Sequence, residues 1–302
     1  MNDLQKHLQQ RNVRKTIVEH ILAELGIATS ADIDTSTAQV QVHTNEPAKH
    51  TQNMNGSIAS DPPVNAPPMS ISEQEAVQLE PLYIESSRDL EETFRDMHPY
   101  FEGKESEGNW LKREKSVLKL RKVTKGNAPQ EFTTPFLSCI KSLLDGILKT
   151  VNSLRTTVST LGCHLVQDLA RVAGPGLDGM VEILLQNLIK LCGNTKKITA
   201  AKGNDTVNAI LSHVSYHARL TQHVYAASQD KNVQPRSFAC GWLKIIINKH
   251  GHNKNTIEHA GGLDLIEKCL KAGLVDRDPS VRESMRPTYW AFARRWPDKS
   301  EL

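Results

Sequence analysis

His250, His252 and His259 are the first residues to test for chemistry, because histidine is the commonest protein metal ligand. Their spacing fits no recognised zinc pattern, and no thiol or carboxylate completes a tetrahedral set, so they read as surface or helix-terminal histidines. Cys163-His164 pairs a nucleophile with a base, yet adjacent helical residues point about 100° apart and cannot face each other. Gly174-Pro175-Gly176 follows no strand, matches neither a P-loop nor a dinucleotide fingerprint, and reads as a turn. What remains suits recognition. Trp110 stands where Glu107-Gly108-Asn109 gives way to a helical pattern, with Arg113 beside it. Basic residues recur at similar junctions: Arg155, Lys197 and Lys202, Lys231 and Arg236, then Arg282 and Arg286. An aromatic followed by cations at successive loop tips describes one binding edge for an acidic protein surface. Plainer readings exist for each: Trp110 as the end of the stripe that includes Val117, the lysines as a solvated loop, and Arg282 as the i,i+4 partner of Asp278.

These residues need elements to hold them. Apolar residues recur at helical spacing through most of the chain, and alternating strand-like runs are absent, so the fold is expected to be all-α. Ser87 is expected to cap a helix carrying Leu90, Phe94 and Met97 that stops at Pro99. Later stripes run Phe132, Phe136, Ile140, Leu143, Leu144 and Ile147; Leu154, Val158, Leu161, Leu165, Leu169 and Val172; Met180, Leu184, Leu188 and Leu191; Phe238, Trp242, Ile245 and Ile246; and Val281, Met285, Tyr289 and Phe292. Asp230-Lys231-Asn232-Val233 and Asp278-Pro279-Ser280-Val281 share a form 48 residues apart. Spacing of roughly 40–47 residues with paired helices is the signature of HEAT-type repeats, and about six helix pairs fit from Leu82 onward.

Three regions differ in composition. Residues 1–28 hold one short amphipathic helix with Val13, Ile17, Val18, Ile21, Leu22 and Leu25, ended by Gly26. Residues 29–80 are rich in Ser, Thr, Asn, Gln and Pro without a sustained period, as expected of a disordered linker. Residues 81–302 form the helical domain. The whole 302-residue chain has a formal charge of only +3, so any basic surface must be local. Its five cysteines lie in apolar contexts without a CxxC pair, as expected of reduced thiols in a cytosolic or nuclear compartment. No apolar run approaches the ~18 residues of a membrane span. The mild charge and the lack of interleaved aromatic and basic residues argue against a nucleic-acid partner.

The run Phe101-Glu102-Gly103-Lys104-Glu105-Ser106-Glu107-Gly108-Asn109-Trp110-Leu111-Lys112-Arg113-Glu114 resembles the start of a TOG domain of the CLASP family. Asn152-Ser153-Leu154-Arg155-Thr156-Thr157, Gln186-Asn187-Leu188-Ile189-Lys190-Leu191-Cys192 and Val281-Arg282-Glu283-Ser284-Met285-Arg286 agree with that family, most closely with its second TOG domain. Residues 10–26 resemble the closing helix of a preceding TOG domain, so the chain reads as a fragment. The resemblance implies a paddle of HEAT repeats that binds αβ-tubulin or microtubules through its intra-repeat loops, stabilising microtubules and favouring rescue. Position by position it implies Trp110 as the aromatic anchor of the first loop with Arg113, Arg155 in the second loop, Lys197 and Lys202 in the third, Lys231 and Arg236 in the fourth, and Arg282 with Arg286 in the fifth. It implies no enzyme activity, cofactor, metal, nucleic acid or membrane partner, a monomeric fragment, and a place on the cytoskeleton and mitotic spindle, inside the nucleus where mitosis is closed. The family's basic Ser/Arg-rich region and its Ser-x-Ile-Pro motif are not within these residues, so weak lattice binding without autonomous tip tracking is expected. The alternative is a HEAT-repeat scaffold for a non-tubulin protein partner.

Overall fold

The computed structural model describes residues 79–300. All of them belong to the second of the two units into which the chain divides, Met1–Asn65 and Ala66–Leu302. The helix expected within residues 1–28 and nearly all of the linker expected over 29–80 lie outside the described residues. Within those residues the fold is helical throughout, as the periodicity requires.

Helices α1 (Ser87–Phe101) and α2 (Trp110–Lys125) form the first antiparallel pair. After the short α3 (Ala128–Glu131), a broken outer helix made of α4 (Thr133–Ser142) and α5 (Leu144–Val151) pairs with α6 (Thr156–Ala173). A 3-10 segment, Gly174–Met180, leads to the pair α7 (Val181–Cys192) and α8 (Lys197–His213). The fourth pair is α9 (Ala218–Ser228) with α10 (Val233–His250). The short α11 (Lys254–His259) then precedes α12 (Gly262–Leu274) and α13 (Pro279–Arg295). The second helices α2, α6, α8, α10 and α13 pack side by side in one layer, and the first helices form the layer against them. This is the two-layer solution by which helix pairs bury stripes that none could bury alone.

Each contact between successive inner helices combines apolar packing with at least one polar tie. Arg121 of α2 pairs with Asp168 of α6 at 2.8 Å. Gln167 of α6 donates to Thr206 of α8 at 2.9 Å. The indole of Trp242 on α10, itself fully buried, donates to Asn204 of α8 at 2.8 Å. Thr288 of α13 donates to the Cys240 carbonyl of α10 at 2.9 Å. The satisfied polar groups fix the register of neighbouring helices, which apolar packing alone leaves less defined.

Three local expectations change. The first helix is capped by Ser86, not Ser87: the Ser86 hydroxyl accepts from the Asp89 amide. The helix also runs past Pro99 to Phe101. Pro99 and Arg95, whose carbonyl the proline leaves without its helical donor, are both exposed, while Phe101 is buried directly against Gly146. A Cβ on Gly146 would lie 2.4 Å from the Cβ of Phe101, so this close approach requires glycine. Leu154 is the third departure. It leaves its apolar stripe and stands on a loop, 88% exposed.

The core also sets a pH response. His250 is buried and packs against the Tyr216 ring, with centroids 5.5 Å apart. Burial first, then Lys249 and His252, push its pKa down to about 4, against opposition from a backbone hydrogen bond with Leu211 and then from Asp178. Burial, with Arg121 and Lys202, pushes His164 down to about 4 as well, opposed by Asp168. Both imidazoles are therefore neutral when folded and bind a proton more readily when unfolded. Their contribution to stability is complete above about pH 6.5 and is lost as pH falls toward about 4, by at most about 3 kcal/mol for His250. Urea midpoints are expected to fall across that window. A midpoint unchanged between pH 6.5 and 4.5 would contradict this.

Candidate loop-edge interface

The five inner helices all begin on one edge, where four loops are copies of one another. Residues 152–155, 193–196, 229–232 and 275–278 each join an outer helix to its inner partner. In each, the second loop residue closes a turn through its side chain. Ser153 accepts from the Arg155 amide, Asn194 from Lys196, Asp230 from Asn232 and Asp276 from Asp278, at 2.7–3.1 Å. Short polar side chains favour such turns because they accept from the backbone two residues ahead. The third residue is pushed outward, and Leu154, Thr195, Lys231 and Arg277 are all exposed. The first loop, residues 102–109, is longer and is tied internally: Asn109 accepts from the Ser106 amide and donates to the Lys104 carbonyl.

Successive loops are also tied to each other. Arg155 of the second loop bridges Glu105 and Glu107 of the first, and its guanidinium lies 5.3 Å from the centre of the Trp110 ring. Lys196 donates to the Leu154 carbonyl, Asn232 to that of Gly193, and Arg277 to that of Lys231. The edge is thus one hydrogen-bonded ladder. Outer helices end where inner helices begin, so their dipoles offset, and the charge of the edge comes from its side chains.

The expected site residues separate into builders and presenters. Arg113 is fully buried and donates to the carbonyls of Tyr100, Glu102 and Gly103, so it shapes the first loop from behind. Arg236 is also buried; it donates to the carbonyls of Asp230 and Lys231 and forms a two-point pair with Asp276 at 2.8 and 2.9 Å. That pairing holds the Asp276 carboxyl below its ordinary pKa. Arg282 repeats the device with the carbonyls of Asp276 and Arg277 and makes no side-chain pair with Asp278, whose carboxylate instead caps α13. Arg236 and Arg282 thereby define a structural period of 46 residues, in place of the 48 suggested by the Asp-x-x-Val match.

Outward-facing groups are different. Trp110 is half-buried at the start of α2, one face covered by Arg155. Lys197, Lys231 and Arg286 are exposed, whereas Lys202 and Arg155 are half-buried. The edge also presents apolar residues that the sequence reading did not assign to it: Leu154, Ile198 at 64% exposure and Val275 at 79%. One signal could have found Leu154, its place directly after the turn-closing Ser153. Away from this edge, Cys163 is buried with its thiol pushed up to about 12, and neighbouring His164 is pushed down, so neither is poised for nucleophilic chemistry. Among the described residues no three His, Cys, Asp or Glu side chains are gathered as a metal site.

An all-helical repeat solenoid whose intra-repeat loops gather on one edge is the class that this architecture defines. The chain belongs to the family described as CLASP N terminal, whose model matches residues 90–302. It is 46% identical to Protein STU1 of Coccidioides immitis (strain RS), covering 100% of this chain and 28% of that protein. It is 55% identical to Protein stu1 of Aspergillus fumigatus, covering 75% of this chain and 17% of that one. The chain therefore spans well under a third of these relatives' length. Solved structures similar to it include the MAST/Orbit N-terminal domain, 13% identical with a TM-score of 0.48 over 72% of this chain and 86% of that one. A TOG domain of C. elegans Zyg9 has 15% identity and a TM-score of 0.48 over 76% and 86% of the two chains.

Proposed function

We propose that this chain is the tubulin-binding module of a microtubule-associated protein, seating αβ-tubulin on the ladder of loops. The observation that carries the reading is the row of exposed apolar side chains, Leu154 at a loop tip with Ile198 and Val275 beside the next tips, interleaved with Lys197, Lys231 and Arg277 on a preformed edge. Aromatic and aliphatic anchors supply affinity through desolvation, and the surrounding cations steer an acidic surface and set salt dependence. Trp110 is the anchor of the first loop, while Arg113, Arg236 and Arg282 hold the loops in shape. Bound in this way, the module contributes to microtubule stabilisation and rescue on the cytoskeleton and mitotic spindle, with no chemical step of its own.

Size-exclusion chromatography with αβ-tubulin tests this. The intact chain is expected to co-elute at low salt, and Leu154→Glu to lose co-elution by placing a charge where an apolar tip is desolvated. Lys197→Gln with Lys231→Gln is expected to weaken binding by about tenfold at low salt and less at higher salt. Failure of the intact chain both to co-elute with tubulin and to co-sediment with microtubules would refute the proposal.

A further inference from the structure

A second cationic surface runs along α2, away from the loop tips. Lys112, Lys115, Lys119 and Lys122 follow one another at spacings of three, four and three, which places all four on one stripe. α2 is the first inner helix of the described residues, so this flank has no preceding inner helix packed on it there. Lys112 and Lys115 are exposed, and Lys119 and Lys122 are half-buried. α1 supplies the opposite wall of an open groove lined by Asp96, Met97, Tyr100, Lys112, Lys115 and Lys119. The Lys112 ammonium stands over the Tyr100 ring, 5.9 Å from its centre. None of the four lysines forms an ion pair among the described residues, and Asp96 is the one carboxylate lining the groove. Four like charges on one face repel each other, and Asp96 alone in the groove lining leaves most of that repulsion in place.

We propose that this groove binds an extended, glutamate-rich peptide segment of a partner protein. The stripe is about 15 Å long at 1.5 Å per residue. An extended chain presents side chains on one side about every 6.6 Å, so three alternate glutamates cover the four lysines. Tyr100 and Met97 give the methylene stems of those glutamates an apolar floor. Lysine chemistry fits this occupant: each ammonium is a mobile, hydrated point charge suited to loosely held carboxylates, whereas planar forks for phosphate would be arginines. The arginines of α2, Arg113 and Arg121, are both buried. Single-stranded nucleic acid is disfavoured, because stacking needs several aromatics along the track and the groove holds Tyr100 alone. The stripe begins beside Trp110 and leads away from the loop edge. It is therefore separate from the tubulin reading and does not depend on it.

Fluorescence anisotropy of a labelled twelve-residue peptide alternating Glu and Ser tests the proposal with the intact chain. Binding is expected at about 50 mM salt and is expected to weaken strongly at about 200 mM. Lys115→Gln with Lys119→Gln is expected to weaken it about tenfold or more. Lys268→Gln with Lys271→Gln, which removes the same charge from exposed positions on α12, is expected to change it less than about twofold. Circular dichroism melts confirm that both variants fold. Equal losses in the two double variants would reduce the effect to net charge and overturn the proposal. So would no binding by the intact chain, or a stripe variant that loses a DNA oligonucleotide of equal charge while keeping the peptide.

Discussion

Asp168→Ala is expected to lower the free energy of unfolding by about 3–5 kcal/mol, read from urea titrations followed by circular dichroism. Asp168 and Arg121 meet at 2.8 Å with side chains only 11% and 4% exposed. Removing the carboxylate leaves the Arg121 guanidinium buried without its counter-charge, and its Nη1 already has no hydrogen-bond partner. The cost is the desolvation of a stranded cation, much larger than the net worth of the pair. Arg171 does not rescue it, since it is itself a cation drawn to Asp168. A second variant separates the two contributions. Arg121→Met with Asp168→Leu removes both charges and refills their volume, and is expected to regain most of the loss. An Asp168→Ala cost below about 1 kcal/mol would mean that water reaches Arg121 and that α2 and α6 are not locked by this pair.

The layers of the fold were legible because burial and periodicity are local properties of the chain. The stripe Val158, Leu161, Leu165 and Leu169 is buried along α6 as its spacing requires. The loop edge was legible only in outline. Arg113, Arg236 and Arg282 looked like presented cations because they follow helix starts, yet an arginine in the first turn of an inner helix is close enough to its own loop to fold back on bare carbonyls. Spacing cannot show that, since the choice is made by carbonyls that the turn leaves facing the arginine: Glu102 and Gly103 for Arg113, Asp230 and Lys231 for Arg236, Asp276 and Arg277 for Arg282. Leu154 failed in the opposite direction: it is in phase with the α6 stripe but falls before the helix begins, so the phase carries no information about burial there. The residues that repay attention at such junctions are Ser153, Asn194, Asp230 and Asp276, each three before a helix start. They mark the turn, and the residue after each marks the tip.

Trp110→Ala is expected to weaken tubulin binding by about 30-fold or more, roughly 2 kcal/mol, and so to exceed any single lysine change. The ring stands at the start of α2 with one face under the Arg155 guanidinium, which Glu105 and Glu107 hold in place. Half of the indole is thus oriented before a partner arrives, and little side-chain freedom remains to be lost on binding. The same arrangement discounts Arg155 as a free cation, because two carboxylates already neutralise it. Arg155→Ala should therefore act chiefly through the ring, and its effect should largely vanish in a Trp110→Ala background. A double-mutant cycle on tubulin affinity is expected to show coupling of about 0.5–1 kcal/mol between the two positions. Additive effects would make Arg155 an independent contact. An affinity within about twofold of the intact chain for Trp110→Ala, with unfolding unchanged, would move the anchor to the exposed side chains of Leu154 and Ile198, where the ladder continues.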